Sequence, residues 1–401
     1  IMFKTLENTD YKNKNILLRA DLNVPYLENK IIEKSRIDIV KPTLKKLKEQ
    51  KNKIFILSHF GRPKGIRNNK YSLKFICSTL KKEFKLDNIF FLENLDNKEI
   101  KKTINLMNPG DVCLLENIRF YSEEESNDLS FVKKLCQNFD LFVNDAFSAS
   151  HRKHASIIGI PKFLPSIAGY SLINEINNIN LFINNSKKPN LAIIGGSKIS
   201  TKINLLYNLS EQCDAIVIGG AMANTFLYAK KINIGKSLFE KDFSKTALSI
   251  IEKAKKNNCK IILPIDVISA DSLQDKKNIR QCDIRNLKSS QMILDLGTKT
   301  TKLITKLILK SKMILWNGPL GAFEYDSFKK SSVDIANVIN TNSKNLNISA
   351  LAGGGDTLAV IKLANAEKGF FYISKAGGAF LEWLEGKESP GVIALKKNKF
   401  Y

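Results

Sequence analysis

LAIIGGSKISTKINLLYNLSEQCDAIVIGG, residues 191–220, holds the fold in miniature. It opens with an unbroken apolar run that stops at two glycines. A stretch with apolar residues at helical spacing follows, over 199–211, and a second apolar run then stops at two more glycines. An apolar run without polar alternation reads as a strand buried on both faces, and a helix between two such runs is the crossover that joins parallel strands. The same alternation extends outward. Upstream lie ILLRADL (16–22), KIFILSHF (53–60), NIFFLE (88–93), VCLLENIRF (112–120) and LFVNDAF (141–147). Downstream lie KIILPID (260–266), KMILWNG (312–318) and ISALAGGGD (348–356). Helical patterns at 36–51, 129–138 and 300–311 fall between them. The pattern predicts an α/β protein of doubly wound parallel sheets.

A chain of 401 residues is longer than one ordinary domain, so two Rossmann-like lobes are expected. No Pro/Gly/Ser linker separates them. The stretch GYSLINEINNINLFINN (169–185) carries Leu172, Ile173, Ile176, Ile179, Phe182 and Ile183 at helical spacing and reads as a helix joining the lobes. With 43% hydrophobic and 25% charged residues the chain is globular rather than disordered. Lys plus Arg number 63 against 39 Asp plus Glu, a formal charge of +24. The lysines are spread over helices and loops, as solvated faces are, and their excess bears on solubility and nonspecific association rather than on fold. Six isolated cysteines without a C-x-x-C pair argue against a disulfide framework or a zinc site. His59, His151 and His154 lack metal-ligand spacing. The first residues have no apolar core of a signal peptide, and no apolar run approaches the roughly 18 residues of a membrane span. A cytoplasmic protein without a membrane partner is expected.

In open α/β sheets ligands bind beyond the carboxyl ends of the strands, and the two halves differ there. In the first half those ends are cationic: Arg19, with Asp21 and Asn23 behind it, Arg36, His59 with Arg62, Arg119, and His151 with Arg152. Arginine is scarce in this lysine-rich chain, and its guanidinium is a fixed fork for phosphate and carboxylate. Any one of these could be a surface or cap residue; as a recurring set they point to a pocket for a small, multiply anionic substrate. In the second half the ends are glycine-rich: Gly195-Gly196-Ser197-Lys198, Gly219-Gly220-Ala221-Met222, Asn317-Gly318-Pro319 and Gly353-Gly354-Gly355-Asp356-Thr357. Glycine lets a ligand approach the backbone, and the helix N-termini behind bind phosphate. Four such loops favour a nucleotide, although neither a Walker A loop nor G-x-G-x-x-G occurs. Asp356 is a natural Mg²⁺ ligand, or the N-cap of a helix beginning near Thr357, or both. Lys198 and Lys202, spaced i and i+4 on one expected helix face, could neutralise a transferring phosphoryl group, or be exposed helix lysines.

Nearly the whole chain resembles the phosphoglycerate kinase family. The resemblance rests on RADLNVP (19–25), SHFGRP (58–63), LLENIRF (114–120), NDAFSASHR (144–152), GGSKISTK (195–202), GGAMANTF (219–226), WNGPLGAFE (316–324), GGGDT (353–357) and LEGKESPG (384–391). It implies Mg²⁺-dependent, reversible phosphoryl transfer from 1,3-bisphosphoglycerate to ADP, giving 3-phosphoglycerate and ATP, by a cytoplasmic monomer. It implies that Asp21, Asn23, Arg36, His59, Arg62, Arg119 and Arg152 bind the triose substrate, and that Gly195, Gly219, Gly220, Pro319 and Glu324 hold the adenosine. Lys202, Asn317, Gly353, Gly354, Gly355, Asp356 and Thr357 would hold the nucleotide phosphates, with Asp356 on the metal. Arg36, Lys198 and Lys202 would surround the transferring group. It also implies a first domain over 1–168 with a tail, 386–401, packing back on it, a helix over 169–184, a nucleotide domain over 185–385, and closure of the lobes about a hinge.

Three positions depart from the family pattern. Ser374-Lys375-Ala376-Gly377-Gly378-Ala379 has Lys and Ala where the family has Thr and Gly, Thr298 replaces Pro, and Ser148 replaces Gly. The first is expected to alter loop geometry and the second to soften a turn. Three rivals follow from the same sequence: a noncatalytic nucleotide sensor, against which Lys198, Lys202, Asp356 and the arginine set all stand; a basic nucleic-acid-binding protein, which would need a contiguous cationic patch; and a different kinase, against which RADLNVP and SHFGRP stand because they match the family's triose-binding lobe.

Overall fold

The computed structural model describes residues 3–27 and 30–401. They form two compact units, 1–176 with 388–401, and 177–387. The division falls inside the 15-residue helix Tyr170–Asn184.

The first unit is built on a six-stranded parallel sheet. Its strands are β1 (Asn15–Arg19), β2 (Lys53–Leu57), β3 (Ile89–Leu92), β4 (Val112–Leu115), β5 (Leu141–Asn144) and β6 (Ser166–Ala168), in the order β3-β4-β2-β1-β5-β6. The chain steps from β1 to one side and later returns to the other, so β1 and β5 flank the point where the winding reverses. Leu17, Leu18, Ile54, Phe55, Val112, Cys113, Phe142 and Val143 are fully buried, as strands covered on both faces require. Each fully buried side chain of this kind contributes about 1.5–3 kcal/mol. Residues 388–401 belong to this unit. The helix Pro390–Lys396 buries Val392 and Leu395, Gly391 N–H donates to the Ser150 carbonyl at 2.8 Å, and the Asn398 amide donates to the Pro161 and Leu164 carbonyls at 2.7 and 3.0 Å.

The second unit has its own six-stranded parallel sheet of β7 (Asn190–Ile194), β8 (Ala215–Ile218), β9 (Lys260–Ile262), β13 (Met313–Asn317), β14 (Ser349–Gly353) and β15 (Tyr372–Ser374), ordered β9-β8-β7-β13-β14-β15. Winding reverses between β7 and β13, the crevice where ligands bind in such sheets. Beside it lies an antiparallel sheet of β10 (Asp266–Ala270), β11 (Arg280–Asp283) and β12 (Met292–Leu296), with β10 in the middle.

All ten apolar runs read from sequence contain a strand, and the fold is the expected α/β one. The differences have local causes. KIILPID does not run on as one strand: β9 ends at Ile262, before Pro264, which cannot donate to a ladder, and the chain re-enters a different sheet at Asp266. The helical pattern at 36–51 divides into Ser35–Asp38 and Lys41–Glu49, with Pro42 in the first turn of the second. Thr298 softens no turn: it is the first residue of the helix Thr298–Lys310, where Asp266 caps from another strand, accepting from Lys299 and Thr300 N–H at 2.9 and 2.7 Å. The left-handed turn in the Ser374–Ala379 segment falls at Gly377 (φ 56°), so Ala376 is not asked to adopt it. All six cysteines are free thiols, five of them buried.

Candidate functional site

In the first unit, β1, β2 and β5 deliver their last residues to one place. Asp21 is 4% exposed, and its carboxylate accepts from the Asn23 N–H at 3.0 Å, from the Arg36 guanidinium and from the Ser148 hydroxyl. Asn23 in turn accepts from Gly61 N–H at 3.0 Å, and Arg119 donates to the Gly61 carbonyl at 2.9 Å. Asp21, Asn23, Arg36 and Arg119 are therefore tied through the turn after β2. Burial pulls the Arg36 and Arg119 guanidinium pKa values down; at Arg119 the Glu125 carboxylate, 4.0 Å from Nε, and Glu124 act against this, and Arg152 and Arg62 add repulsion. Arg62 and Arg152 are exposed, with no ion pair among the described residues. The buried Arg119 Nε has no hydrogen-bond partner. Like charges held this close, with donors left over, are a site that gains by taking up an anion.

One of the five arginines has a different role. Arg19 is 1% exposed; its Nε donates to Ser156 Oγ at 2.9 Å, one Nη to the Ala20 carbonyl at 2.6 Å, and the other lies 3.2 Å from His59 Nδ1. The buried Glu124 carboxylate accepts from the Ser156 N–H and hydroxyl at 2.8 and 2.6 Å. Burial draws the Arg19 pKa down to about 10 and pushes Glu124 up. Burial first, then Arg19, holds His59 well below the usual imidazole range, so at neutral pH it is an uncharged hydrogen-bonding group. Arg19 is thus a post beneath His59 and not part of the accessible set. Ser156 and Glu124 carry no sequence signal that distinguishes them from surface residues.

In the second unit the glycine loops interlock. Gly195 N–H donates to the Asn317 carbonyl at 2.9 Å, Gly196 to Pro319 at 3.1 Å, Gly219 to Ile194 at 3.0 Å and Gly220 to Leu320 at 3.0 Å. Those N–H groups are therefore taken by the protein's own backbone, and the glycines serve close approach. A Cβ on Gly195 would stand 1.9 Å from the Pro319 oxygen, and one on Gly220, at φ 67°, 2.5 Å from the Gly196 oxygen. The free N–H groups lie instead at the start of the helix Gly355–Leu363, whose first turn has no intrahelical acceptor. Its N-cap is Gly354, not Asp356; Asp356 is exposed within that first turn. Thr357 Oγ1 accepts from Gly318 N–H at 2.7 Å, and the Asn317 amide donates to the Gly353 carbonyl at 2.7 Å, so β13 and β14 meet there. The Trp316 indole N–H fixes the Gly318 carbonyl at 2.8 Å.

Lys198 and Lys202 do not share a helix face. Residues Ile199–Thr201 form a 3₁₀ turn, and Lys202 is the N-cap of the helix Ile203–Gln212 at φ −130°. Glu240 holds that turn through Ser200, accepting from its N–H and hydroxyl at 3.0 and 2.6 Å. Lys198 is left exposed, while Lys202 Nζ reaches the Gly195 carbonyl at 2.5 Å and that of Asn317 at 3.3 Å. Burial brings its pKa down to about 8, the nearby Asp356 carboxylate acting against that. A cavity of about 290 Å³ adjoins these loops, bounded by Gly196, Gly220, Pro319 and Glu324 and by an apolar wall of Leu238 and residues 292–294 from β12, which sequence reading did not anticipate. No helix among the described residues is long and apolar enough to cross a membrane, and none of them forms a cluster of three or more His, Cys, Asp or Glu that could hold a metal by itself.

Residues 6–387 match the family model described as phosphoglycerate kinase. The chain is 42% identical over 394 residues to the phosphoglycerate kinase of Wolbachia pipientis wMel, covering 98% of both chains. It is 44% identical over 398 residues to that of Sinorhizobium fredii, covering 99% of this chain and 100% of the relative. Among solved structures, that of phosphoglycerate kinase from Coxiella burnetii matches with a TM-score of 0.89 at 36% identity, and that from Pyrococcus horikoshii with 0.81 at 27%, each covering 98% of both chains.

Proposed function

The chain belongs to the phosphoglycerate kinase family and is a kinase with a carboxyl acceptor; from that premise we propose how its residues divide the reaction. The first unit binds 3-phosphoglycerate or its acyl phosphate, and the second binds ADP or ATP. The observation that carries this division is chemical: one set of strand ends holds crowded, partly unsatisfied arginines, and the other holds interlocked glycine loops before a free helix N-terminus beside a small cavity.

Toward ATP, a carboxylate oxygen of 3-phosphoglycerate attacks the γ-phosphorus, the bond to the bridging oxygen breaks, and ADP leaves. The nucleophile is ionised at neutral pH, so no general base is needed, and none is asked of His59, a weak base whose Nδ1 faces the Arg19 guanidinium. Catalysis then rests on position and charge. Arg62, Arg119 and Arg152 hold the substrate phosphate, and Asp21, Asn23 and His59 orient the carbon skeleton. Arg36 and Lys202, with the exposed Lys198, neutralise the moving group. The Gly355–Leu363 N-terminus with Thr357, Asn317 and Gly353–Gly355 takes the nucleotide phosphates. Gly195, Gly219, Gly220, Pro319 and Glu324 take the adenosine. A lone exposed carboxylate at a phosphate-binding helix suits Mg²⁺, which is commonly held by one or two carboxylates with substrate phosphates and water; Asp356 would hold it, and the ion would offset phosphate charge. With one substrate on each unit, turnover requires the units to bring them together and to exclude water. We take the enzyme to be cytoplasmic and monomeric.

The test couples ATP, 3-phosphoglycerate and Mg²⁺ to NADH oxidation through glyceraldehyde-3-phosphate dehydrogenase. Turnover is expected to require Mg²⁺ and to fall about 10²–10³-fold in Arg36→Ala. A folded protein that binds ADP but turns nothing over would leave the sensor reading in its place.

A further inference from the structure

The cavity beside the glycine loops is largely apolar, and apolar walls accept any purine. Discrimination between adenine and guanine needs a polar group that one base satisfies and the other leaves unpaired. Ser197, Glu324 and Asp356 on its rim are exposed. Asp295 is spent: its carboxylate accepts from Leu296 N–H at 2.9 Å and from the N–H and hydroxyl of Ser331.

Asn224 differs from all of these. It lies one turn into the helix Gly220–Ala229, on the wall that also carries Gly220 and Ala221, and is 1% exposed. Its Nδ2 donates to the Leu238 carbonyl at 2.9 Å, while its buried Oδ1 has no hydrogen-bond partner. The amide cannot usefully turn over, because the flipped form would set Oδ1 against the Leu238 oxygen and strand both. The neighbouring Thr225 hydroxyl accepts from Glu240 N–H at 3.0 Å and holds the 238–240 segment in place. Buried side-chain acceptors are rarely left unpaired, and one in a ligand cavity marks where a ligand donor belongs.

We propose that Asn224 selects the base, its fixed carboxamide oxygen accepting from the exocyclic amino group of adenine and opposing the oxygen that guanine carries at that position. This rests on the reading of the cavity as the nucleotide site and goes beyond it by naming the specificity-determining residue.

Calorimetric titration of the full chain with ADP, with GDP and with purine riboside 5′-diphosphate, which lacks the amino group, tests it. Wild type should bind ADP about ten-fold more tightly than either competitor. Asn224→Leu should bind ADP and the purine riboside analogue within about two-fold of one another, since the acceptor is gone. Equal affinity of wild type for ADP and that analogue, or an unchanged preference in the variant, overturns the inference. The wild-type comparison requires no substitution, so it decides the matter even where the variant fails to fold. Failure of wild type to bind ADP at all overturns the nucleotide reading itself, a distinguishable result.

Discussion

Lys202 is subject to two opposed demands. It must be charged to meet a phosphoryl group, yet burial against the Gly195 and Asn317 carbonyls brings its pKa down to about 8. In the free enzyme it therefore loses its proton just above neutrality. We expect kcat/KM for ADP to fall through an apparent pKa near 8, and kcat, measured with phosphates beside the ammonium, to persist to higher pH. Coincident alkaline limbs for both parameters would exclude Lys202 as the titrating group. Gly195 allows a second test: a Cβ 1.9 Å from the Pro319 oxygen cannot be accommodated without backbone movement, so Gly195→Ala should lose about 1–3 kcal/mol in urea unfolding, with ADP affinity falling alongside. Residues such as these were legible because Gly, Arg and Asp at a strand end declare their chemistry by type. Arg19 shows the limit. It has the same type at the same kind of position, and what removes it from the accessible set is Ser156, 137 residues away, with Glu124 behind it. Ser148 was visible as a departure, but its bond to the Asp21 carboxylate was not.

Among the elements, the helix Tyr170–Asn184 carries a titratable group at its start. Asp145, just beyond β5, accepts from the N–H groups of Ser171 and Leu172 at 2.7 and 3.4 Å, and its second oxygen is buried without a partner. Burial pushes its pKa up to about 7 despite a hydrogen bond with the Thr43 side chain and those from the two N–H groups. Between the ordinary carboxylate range and pH 7 the native state keeps a proton that the unfolded chain has released. The stability this gives is therefore full below about pH 4 and is lost as pH rises toward 7. Asp145→Asn can keep the cap through its carbonyl and cannot ionise, so its Tm relative to wild type should rise steadily from pH 4 to 7. A constant difference would count against Asp145 as the source. Ten of the twelve strands in the two parallel sheets were readable from unbroken apolar runs; the three-residue β6 and β15 were too short to stand out, and the antiparallel β11, Arg280–Asp283, is largely exposed with Cys282 alone buried. The misplacement of Lys198 has a related cause: apolar spacing marks a helical segment but does not distinguish a 3₁₀ turn from the α-helix it precedes.

For the molecule as a whole, the excess charge of +24 bears on association rather than on the reaction. Several lysines already face carboxylates, as Lys34 and Lys41 do at Glu83 and Lys253 does at Glu211, which fits dispersed solvated faces better than one cationic track. Any binding of random-sequence oligonucleotide should therefore be lost between roughly 50 and 200 mM salt, with ADP affinity in the second unit little changed. Binding that survives the higher salt would revive the nucleic-acid reading. The two-sheet organisation was legible because each half repeats the strand–helix alternation. The place of the closing segment came only from the family resemblance, which implied a tail on the first domain; nothing in the residues 388–401 themselves marks it as part of that unit. That membership has a bearing on how the chain is made. A ribosome releases residues 1–176 first, then the whole of 177–387, and only afterwards the helix and the Asn398 amide that complete the earlier unit. The first unit to be synthesised is thus the last to be finished, and for the time needed to translate some two hundred residues it waits with the seat for Val392 and Leu395 uncovered, an interval in which a nascent-chain chaperone would find its substrate.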